Sequence, residues 1–450
     1  MGFLHRFEGI LTALPTVEKP RFALSFREKL KWTAGMLIIY YLLTETPLYG
    51  LDSRSVDIFA SLRAIMAGSF GSIVSLGIGP LVTGSIILQI LVGGKLIDLD
   101  LKNEKDKAIY QGTQKMLALF FTLFEAAVMV LMGALPPLNN EPNLAMLLIL
   151  QLFVGGIIIL LMDEVISGWG FGSGISLFIV AGVASQIVIG ALNPLPPFKG
   201  EVVPAGKIPA FIYSLTRGSP DVNYLIPIVG TILVFAIVVY AESLRIEIPI
   251  TYGRFGGTRG KFPLKFIYAS NIPVIFASIL IANIQLWARL LERAGKPLLG
   301  TFVANKPISG VAYYVQTPPP FYSTDFSALH ALVYVIVLII FAVLFSWFWV
   351  ETAGMDAKTV AEQITGGGLQ VPGFRGDVRI IERILSKYIP ALTILGGVSV
   401  ALLATFADLL GALGGGTGVL LSVGILYNLY EAMAKEQLFE MHPMLKSMFA

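Results

Sequence analysis

Long apolar stretches recur along this chain, separated by short polar connectors. A helix needs roughly 20 apolar residues to cross a hydrocarbon core of about 30 Å. Ten stretches fit that length within a few residues: 32–49, 75–94, 114–134, 144–162, 174–192, 223–241, 266–287, 328–350, 388–407 and 417–434. Lys and Arg fall between these stretches or at their edges. The pattern predicts an all-α polytopic membrane protein with ten transmembrane helices. With an even number of crossings, both termini lie on one side.

Composition narrows the class further. Of 450 residues, 55% are hydrophobic and only 14% charged, and mean hydropathy is +0.77. A soluble domain carries about 25% charged residues. These values exclude a soluble globular protein, a disordered chain and a nucleic-acid-binding domain. With no cysteine in the sequence, disulfides, zinc thiolates and thiol catalysis are excluded. The net charge of +3 says little, but its placement says more. Most Lys and Arg fall on the connectors that share a side with the termini, so the N- and C-termini are expected to be cytoplasmic. One connector on that side, 163–173, carries Asp163 and Glu164 and no basic residue, so the rule holds in aggregate.

The first 31 residues do not read as a cleavable signal peptide, since charges are scattered through them. Phe3, Leu4, Phe7, Ile10, Leu11 and Leu14 recur at helical spacing, with His5, Arg6 and Glu8 between them. That is a short helix, either lying in the membrane interface or packed on the protein's own loops.

Three segments do not behave like spans or simple connectors. Residues 52–72 are helical in pattern but too polar to cross, with Asp52, Arg54, Asp57 and Arg63, and they end in Gly68, Ser69, Gly71 and Ser72. They form either an ordinary loop helix or a mobile element that folds back into a cavity. Residues 242–265 alternate around Ile246, Ile248 and Ile250 and turn at Gly256-Gly257, which predicts a β-hairpin-like finger. Arg254, Arg259, Lys261 and Lys265 lie on or beside it. Residues 351–387 form a second long basic loop. Both loops satisfy positive-inside topology. Their length also suits two arms that hold an anionic partner.

An internal repeat is visible in the starts of four spans. GIGPLVTGSIILQI in the second resembles NIPVIFASILIANIQ in the seventh, with Pro80 against Pro273 and Ser85-Ile86 against Ser278-Ile279. GFGSGISLFIV in the fifth resembles GGGTGVLLSVG in the tenth, with Gly172-Ser173-Gly174 against Gly416-Thr417-Gly418. The offset is five spans both times. Five is odd, so the halves insert upside down relative to each other, and such repeats place the working site between them near the midplane. The residues at those helix starts are Ile78, Val82, Phe171, Ile175, Ile275 and Leu421, all apolar. They are either routine packing or a collar that excludes water yet can widen. Glu125 is the carboxylate well inside a span, with Thr83, Asn271, Asn283 and Gln285 as uncharged polar groups.

Catalytic signatures are missing. Phe171 replaces the first glycine that a G-x-S-x-G elbow around Ser173 needs, and His5, His330 and His442 are not placed to serve it. GGTRGKF lacks the P-loop spacing and the hydroxyl after its lysine. No catalytic residue, metal site or cofactor is expected.

LGIGPLVTGSIILQILVG, GWGFGSGISLFI, SNIPVIFASIL with ANIQLW, and GALGGGTGVLL together resemble the SecY family, the channel subunits of the Sec protein translocase. YAESLRIEIPI and GVAYYVQTP are similar to its archaeal and eukaryotic branch. The resemblance implies ten helices in two inverted pseudo-symmetric halves, 32–192 and 223–434, around an hourglass pore. Residues 193–222 would be the external hinge loop, 1–31 a cytoplasmic N-terminal segment and 435–450 a cytoplasmic tail. The ring at the waist would be Ile78, Val82, Phe171, Ile175, Ile275 and Leu421, with Phe171 departing from the usual aliphatic. Residues 52–72 would be the plug, through Val56, Ile58, Phe59, Leu62, Arg63, Ile65 and Met66. Thr83, Glu125 and Asn283 would bridge a lateral gate between spans two and three and spans seven and eight. Arg254 and Arg375 would dock the ribosome with its nascent chain. SecE and Sec-beta are implied as partner subunits, together with signal peptides, secretory polypeptides and the lipid bilayer. The motor SecA is not expected in an archaeal protein. The expected function is a protein-conducting channel in the cell membrane, which also releases transmembrane segments sideways into lipid. A solute transporter would instead need flux that depends on Glu125, and a scaffold would stay tight after deletion of 52–72.

Overall fold

The computed structural model describes residues 9, 11, 14–22, 24–52, 66–94, 96–97, 99, 103–196, 202–252, 258–269, 272–303, 306–366, 369–370 and 377–441. Ten long helices organise them. In chain order they are α1 Phe26–Glu45, α2 Gly79–Gly93, α3 Glu104–Leu131, α4 Pro142–Trp169 and α5 Gly174–Leu192. Then come α6 Ile226–Ser243, α7 Ile272–Arg293, α8 Ala328–Thr352, α9 Val378–Leu409 and α10 Gly416–Met441. Local sequence explains where several begin. Ser25 and Glu28 form a reciprocal capping box at α1, and Asn103, Ser327 and Asp377 accept backbone N–H bonds at the starts of α3, α8 and α9.

Among the described residues, eight helices are long and apolar enough to cross a membrane, and these correspond to α3 through α10. Each of the ten predicted stretches overlaps one of these helices, yet two of the helices fall short of that measure, and the seventh begins at Ile272, later than the expected 266. α1 carries Arg27, Glu28, Lys29 and Lys31 in its opening turns. α2 has only 15 residues, because the chain from 66 to 78 runs in tight turns and does not wind into helix until Gly79. The predicted second span began at 75, and those turns account for the difference. The protein is an all-helical polytopic membrane protein.

Packing sets the arrangement. α2 lies against α3 in the N-terminal half and against α7 and α8 in the C-terminal half. α10 lies against α9, α6 and α5 and reaches α1. One apolar cluster runs through both halves, from Tyr40 and Phe178 to Phe345 and Leu421. Outside it, α5 and α6 are joined by a connector that contains a short helix, Lys207–Thr216. Exposed Leu, Ile, Val and Phe side chains on the long helices, such as Ile232 and Leu332, match a hydrocarbon surround.

The two basic arms meet. β1 Arg245–Tyr252 pairs antiparallel with β2 Thr258–Lys265, as the alternation predicted. A third strand, β3 Leu369–Gln370, adds to β1 at Thr251 and Tyr252. The second arm therefore extends the first arm's sheet, which sequence alone did not indicate. β2 is an edge strand and takes Pro263 there, where a missing N–H is tolerated. Tyr268, in the link to α7, donates its hydroxyl to the Met355 carbonyl at 2.7 Å, and burial pushes its phenol up to about 12.

The N-terminal segment packs on the protein at the positions described. Leu11 is buried with Leu88, Val92 and Ile109. Lys115 of α3 bonds both the Pro15 carbonyl and Glu164 of α4. Glu164 in turn accepts the Val17 N–H at 3.0 Å, and Trp169 donates to the Glu18 carbonyl at 2.8 Å. Most of the amphipathic stretch, residues 1–8 with 10, 12 and 13, lies outside the described residues.

Lys115 is thus the buried centre of a strap across α3 and α4. Hydrogen bonds to charged groups contribute about 1.5–3 kcal/mol. Lys115→Met is expected to lower the melting temperature and to speed tryptic cleavage after Arg21. Unchanged cleavage kinetics would show that the strap is held by apolar contacts alone.

Candidate functional site: a sealed constriction and its seam

Three helices begin at backbone breaks facing the middle of the bundle. Before α5, Gly172 adopts φ +74°, and Asp163 of α4 accepts the Ile175 N–H at 2.9 Å and the Ser173 hydroxyl at 3.3 Å. Before α10, Gly414 and Gly415 adopt φ +83° and +77°, and Asp408 of α9 accepts the Gly416 N–H at 2.6 Å. In each half, an aspartate near the end of the fourth helix satisfies the exposed N–H groups of the fifth. The repeat alignment set Gly172 against Gly416, whereas the helix starts correspond as Gly174 to Gly416, a shift of two residues. Neither aspartate was singled out from the sequence. The signal was there, since each half has an aspartate 8–11 residues before its glycine-rich helix start.

The third break holds residues 66–78. Gly77 has φ +57°, and the turn lets the Met66 carbonyl accept the Ile78 N–H at 2.7 Å. Tyr40 of α1 donates its hydroxyl to the Ala67 carbonyl at 2.8 Å. Met66 and Ala67 are buried. The other candidate plug residues, Val56, Ile58, Phe59, Leu62, Arg63 and Ile65, lie outside the described residues.

Five of the six candidate ring residues belong to or pack on the central apolar cluster. Ile78, Val82, Ile275 and Leu421 are buried in the central apolar cluster, and Ile175 is partly buried against it. Phe171 is also buried but stands apart from that cluster. Its ring packs on Phe26 of α1 at 5.1 Å, its N–H donates to the Thr33 hydroxyl, and Lys29 lies over its face. Phe171 and Ile275 both line a cavity of about 230 Å³ on the side of the bundle that carries the β-hairpin, with Ile425, Asn428 and Leu429.

The three candidate gate residues form one hydrogen-bonded chain. Asn283 of α7 donates to the Thr83 hydroxyl at 3.0 Å, and Thr83 of α2 donates to Glu125 of α3 at 3.3 Å. Thr83 also bonds the Gly79 carbonyl at 2.8 Å, at the first turn of α2. The chain crosses the seam between α2–α3 and α7. Glu125 is buried, and its carboxylate has Thr83 as a partner. Asn271 lies outside the described residues, while Gln285 is buried on α7.

The candidate docking residues Arg254 and Arg375 also lie outside the described residues. The strands on either side of 253–257 are described and pair from Arg245 with Lys265 to Tyr252 with Thr258. Among the described residues, no group of three or more His, Asp or Glu is arranged to hold a metal ion.

Comparison with known proteins gives a consistent answer. A family model described as SecY matches residues 72–430, and one described as the plug domain of Sec61p matches residues 38–71. The protein translocase subunit SecY of Methanothermobacter thermautotrophicus is 50% identical, with 98% of each chain covered. That of Pyrococcus furiosus is 47% identical, with 97% of each covered. Among solved structures, "The structure of a protein conducting channel" superposes with TM-score 0.87 at 44% identity, covering 96% of this chain and 98% of the other. Sec61 in a canine ribosome-channel complex from the endoplasmic reticulum gives TM-score 0.84 at 43% identity over the same shares.

A side chain at Gly77 would place Cβ 1.9 Å from the Met66 carbonyl oxygen, at a φ that L-residues avoid. That strain costs about 1–2 kcal/mol, roughly a tenfold change in an equilibrium. Gly77→Ala is expected to loosen the hold of residues 66–67 on Ile78 and to raise ion leak through the reconstituted protein about tenfold. Conductance recordings in planar bilayers check this, and a parental leak rate would disconnect the Met66–Ile78 bond from the seal.

Proposed function

The chain belongs to the SecY family, and from that premise we propose that it is a protein-conducting channel for unfolded secretory polypeptides. The observation that supports this reading is the placing of Ile78, Val82, Ile175, Ile275 and Leu421, from both halves, in one apolar core, with the Ile78 N–H bonded to Met66 in the 52–72 segment. An apolar constriction excludes water and ions by dewetting, without a charged filter that would select one solute. It therefore suits a pore whose passenger has no fixed chemistry. Phe171, packed against α1, forms the wall of the cavity that leads to the ring and completes the set on that side.

Lateral release follows from the seam. Asn283 closes it through its hydrogen bond to Thr83, which is bonded in turn to Glu125 on its own side; the bond across the seam is worth on average about 0.6 kcal/mol in a membrane. A hold of that size keeps a gate shut and still lets a passing segment open it. Leu, Ile, Phe and Val each favour insertion by about 0.3–0.6 kcal/mol at a helix centre, and a central charge opposes it by about 2.5–3.5 kcal/mol. Partition between pore and lipid then sorts secretory from membrane segments with no chemical step.

The basic sheet supports docking of an anionic partner, and the relative seen in a ribosome-channel complex makes the ribosome with its nascent chain the proposed one. Arg254 and Arg375 are the proposed contacts. SecE and Sec-beta are the proposed partner subunits around the bundle, in the cell membrane with both termini cytoplasmic. Residues 32–192 and 223–434 are the proposed halves, joined through 193–222.

The absence of native cysteine makes the test direct. Ile78→Cys, Ile175→Cys and Ile275→Cys, each alone, are expected to cross-link to a cysteine in a stalled secretory chain on a ribosome. Leu395→Cys, on an exposed face of α9, is the control and should give no adduct. Silence at all three ring positions with ribosomes bound would remove the channel reading. A second expectation concerns the seam. Asn283→Leu removes the hydrogen bond that crosses it and should let less hydrophobic segments enter the bilayer, which insertion assays on a graded Leu/Ala series measure.

A further inference from the structure

We infer that Glu431 is a positioning residue that couples the basic hairpin to the pore ring through α10. The inference rests on the reading of the hairpin as the docking arm. It begins from the register of the sheet. Arg245 opens β1 and Lys265 closes β2, and the two are cross-strand partners at the base of the hairpin. Both reach the same carboxylate. Arg245 pairs with one oxygen of Glu431, and Lys265 lies 2.8 Å from the other.

Neighbouring residues of α10 complete the seat. Lys265 donates to the Asn428 amide oxygen at 2.6 Å, and its ammonium lies 5.7 Å from the centre of the Tyr427 ring. Arg245 donates to the Tyr427 hydroxyl at 3.5 Å. Residues 427, 428 and 431 occupy one turn of α10. The hairpin is therefore fixed at its root by a charged clamp on a single helical turn, and a load on its tip passes into α10.

That helix is the one that can carry the load to the ring. Leu421 is fully buried in the ring cluster, ten residues before Glu431, which is about 15 Å along a helix. Ile425, Asn428 and Leu429, between the two on the same helix, line the cavity that Ile275 also lines. Asn428 itself serves both the clamp and the cavity. Further along, Glu436 pairs with Lys29 of α1, and Lys29 lies over the Phe171 ring. The end of α10 is thereby tied to the hairpin on one side and to the N-terminal half on the other. A shift of the hairpin root moves α10, and α10 moves Leu421 against residues contributed by the other half.

The test uses full-length chain in proteoliposomes, with non-translating ribosomes as the probe. Ile78→Cys with Leu421→Cys reports the width of the ring by oxidative cross-linking. In this background ribosomes are expected to change the cross-linking rate about threefold or more, and Glu431→Gln should abolish that change while ribosomes still bind. Charge reversal, Glu431→Lys with Arg245→Glu and Lys265→Glu, restores both ion pairs with opposite sign and should restore the response. It also carries the test if Glu431→Gln does not accumulate. A full ring response in Glu431→Gln would overturn the coupling. So would loss of ribosome binding in Glu431→Gln, because the carboxylate would then be part of the docking surface itself. A ring that never responds although ribosomes bind overturns the coupling alone. Failure of the Glu431-intact protein to bind ribosomes overturns the docking reading, and the coupling falls with it.

Discussion

Backbone hydrogen bonding in hydrocarbon is the constraint on which the rest of this structure depends. No water is available there, so every N–H and C=O must be satisfied within the protein, and only helices do so segment by segment. A break in a helix is tolerated where protein surrounds it or where it lines a cavity. The breaks before α2, α5 and α10 obey this rule. The break before α2 is mostly buried, that before α5 lines the cavity, and each has a named partner for an exposed N–H group: the Met66 carbonyl, Asp163 and Asp408. These partners fix where the helices start, and the helix starts fix where Ile78, Ile175 and Leu421 stand. The ring is thus a consequence of how three orphaned helix ends are satisfied.

The same rule separates the seal from the seam. The candidate ring residues are apolar and packed, whereas the seam adds to its apolar contacts a hydrogen bond from Asn283 to Thr83. Apolar packing is non-directional and re-forms around an altered shape. Hydrogen bonds are directional and break in discrete steps. A constriction that stretches gradually and a seam that opens all at once suit these two kinds of contact.

Much of this was legible in the sequence. Hydropathy located the ten helices, alternation located the β-hairpin, and the paired glycine-rich starts pointed to the breaks. What stayed hidden depends on contacts across long sequence separations. Nothing near residue 77 announces that Met66 will bond Ile78. The shortness of α2 follows from that tertiary bond and not from its own composition. The strand Leu369–Gln370 is too short to show a period, so its addition to β1 could not be read. Lys115 looked like one more connector lysine at the edge of the third stretch, and its burial comes from a strap supplied by residues 15–18. Phe171 could be named from its motif, but its packing on Phe26 arises from α1, which lies far away in the chain.

Magnitudes then decide which part governs the fate of a passenger. The Asn283–Thr83 hydrogen bond contributes about 0.6 kcal/mol to the hold of the seam. A segment with a dozen Leu, Ile or Val residues gains about 4–7 kcal/mol on entering lipid, and one central charge takes back about 2.5–3.5. The passenger's own transfer energy exceeds the hold of the seam several-fold in either direction. The seam therefore cannot select by strength. In the proposed gate it sets the threshold at which a segment of intermediate hydrophobicity changes sides, so residues 83, 125 and 283 would tune a boundary that the bilayer itself draws.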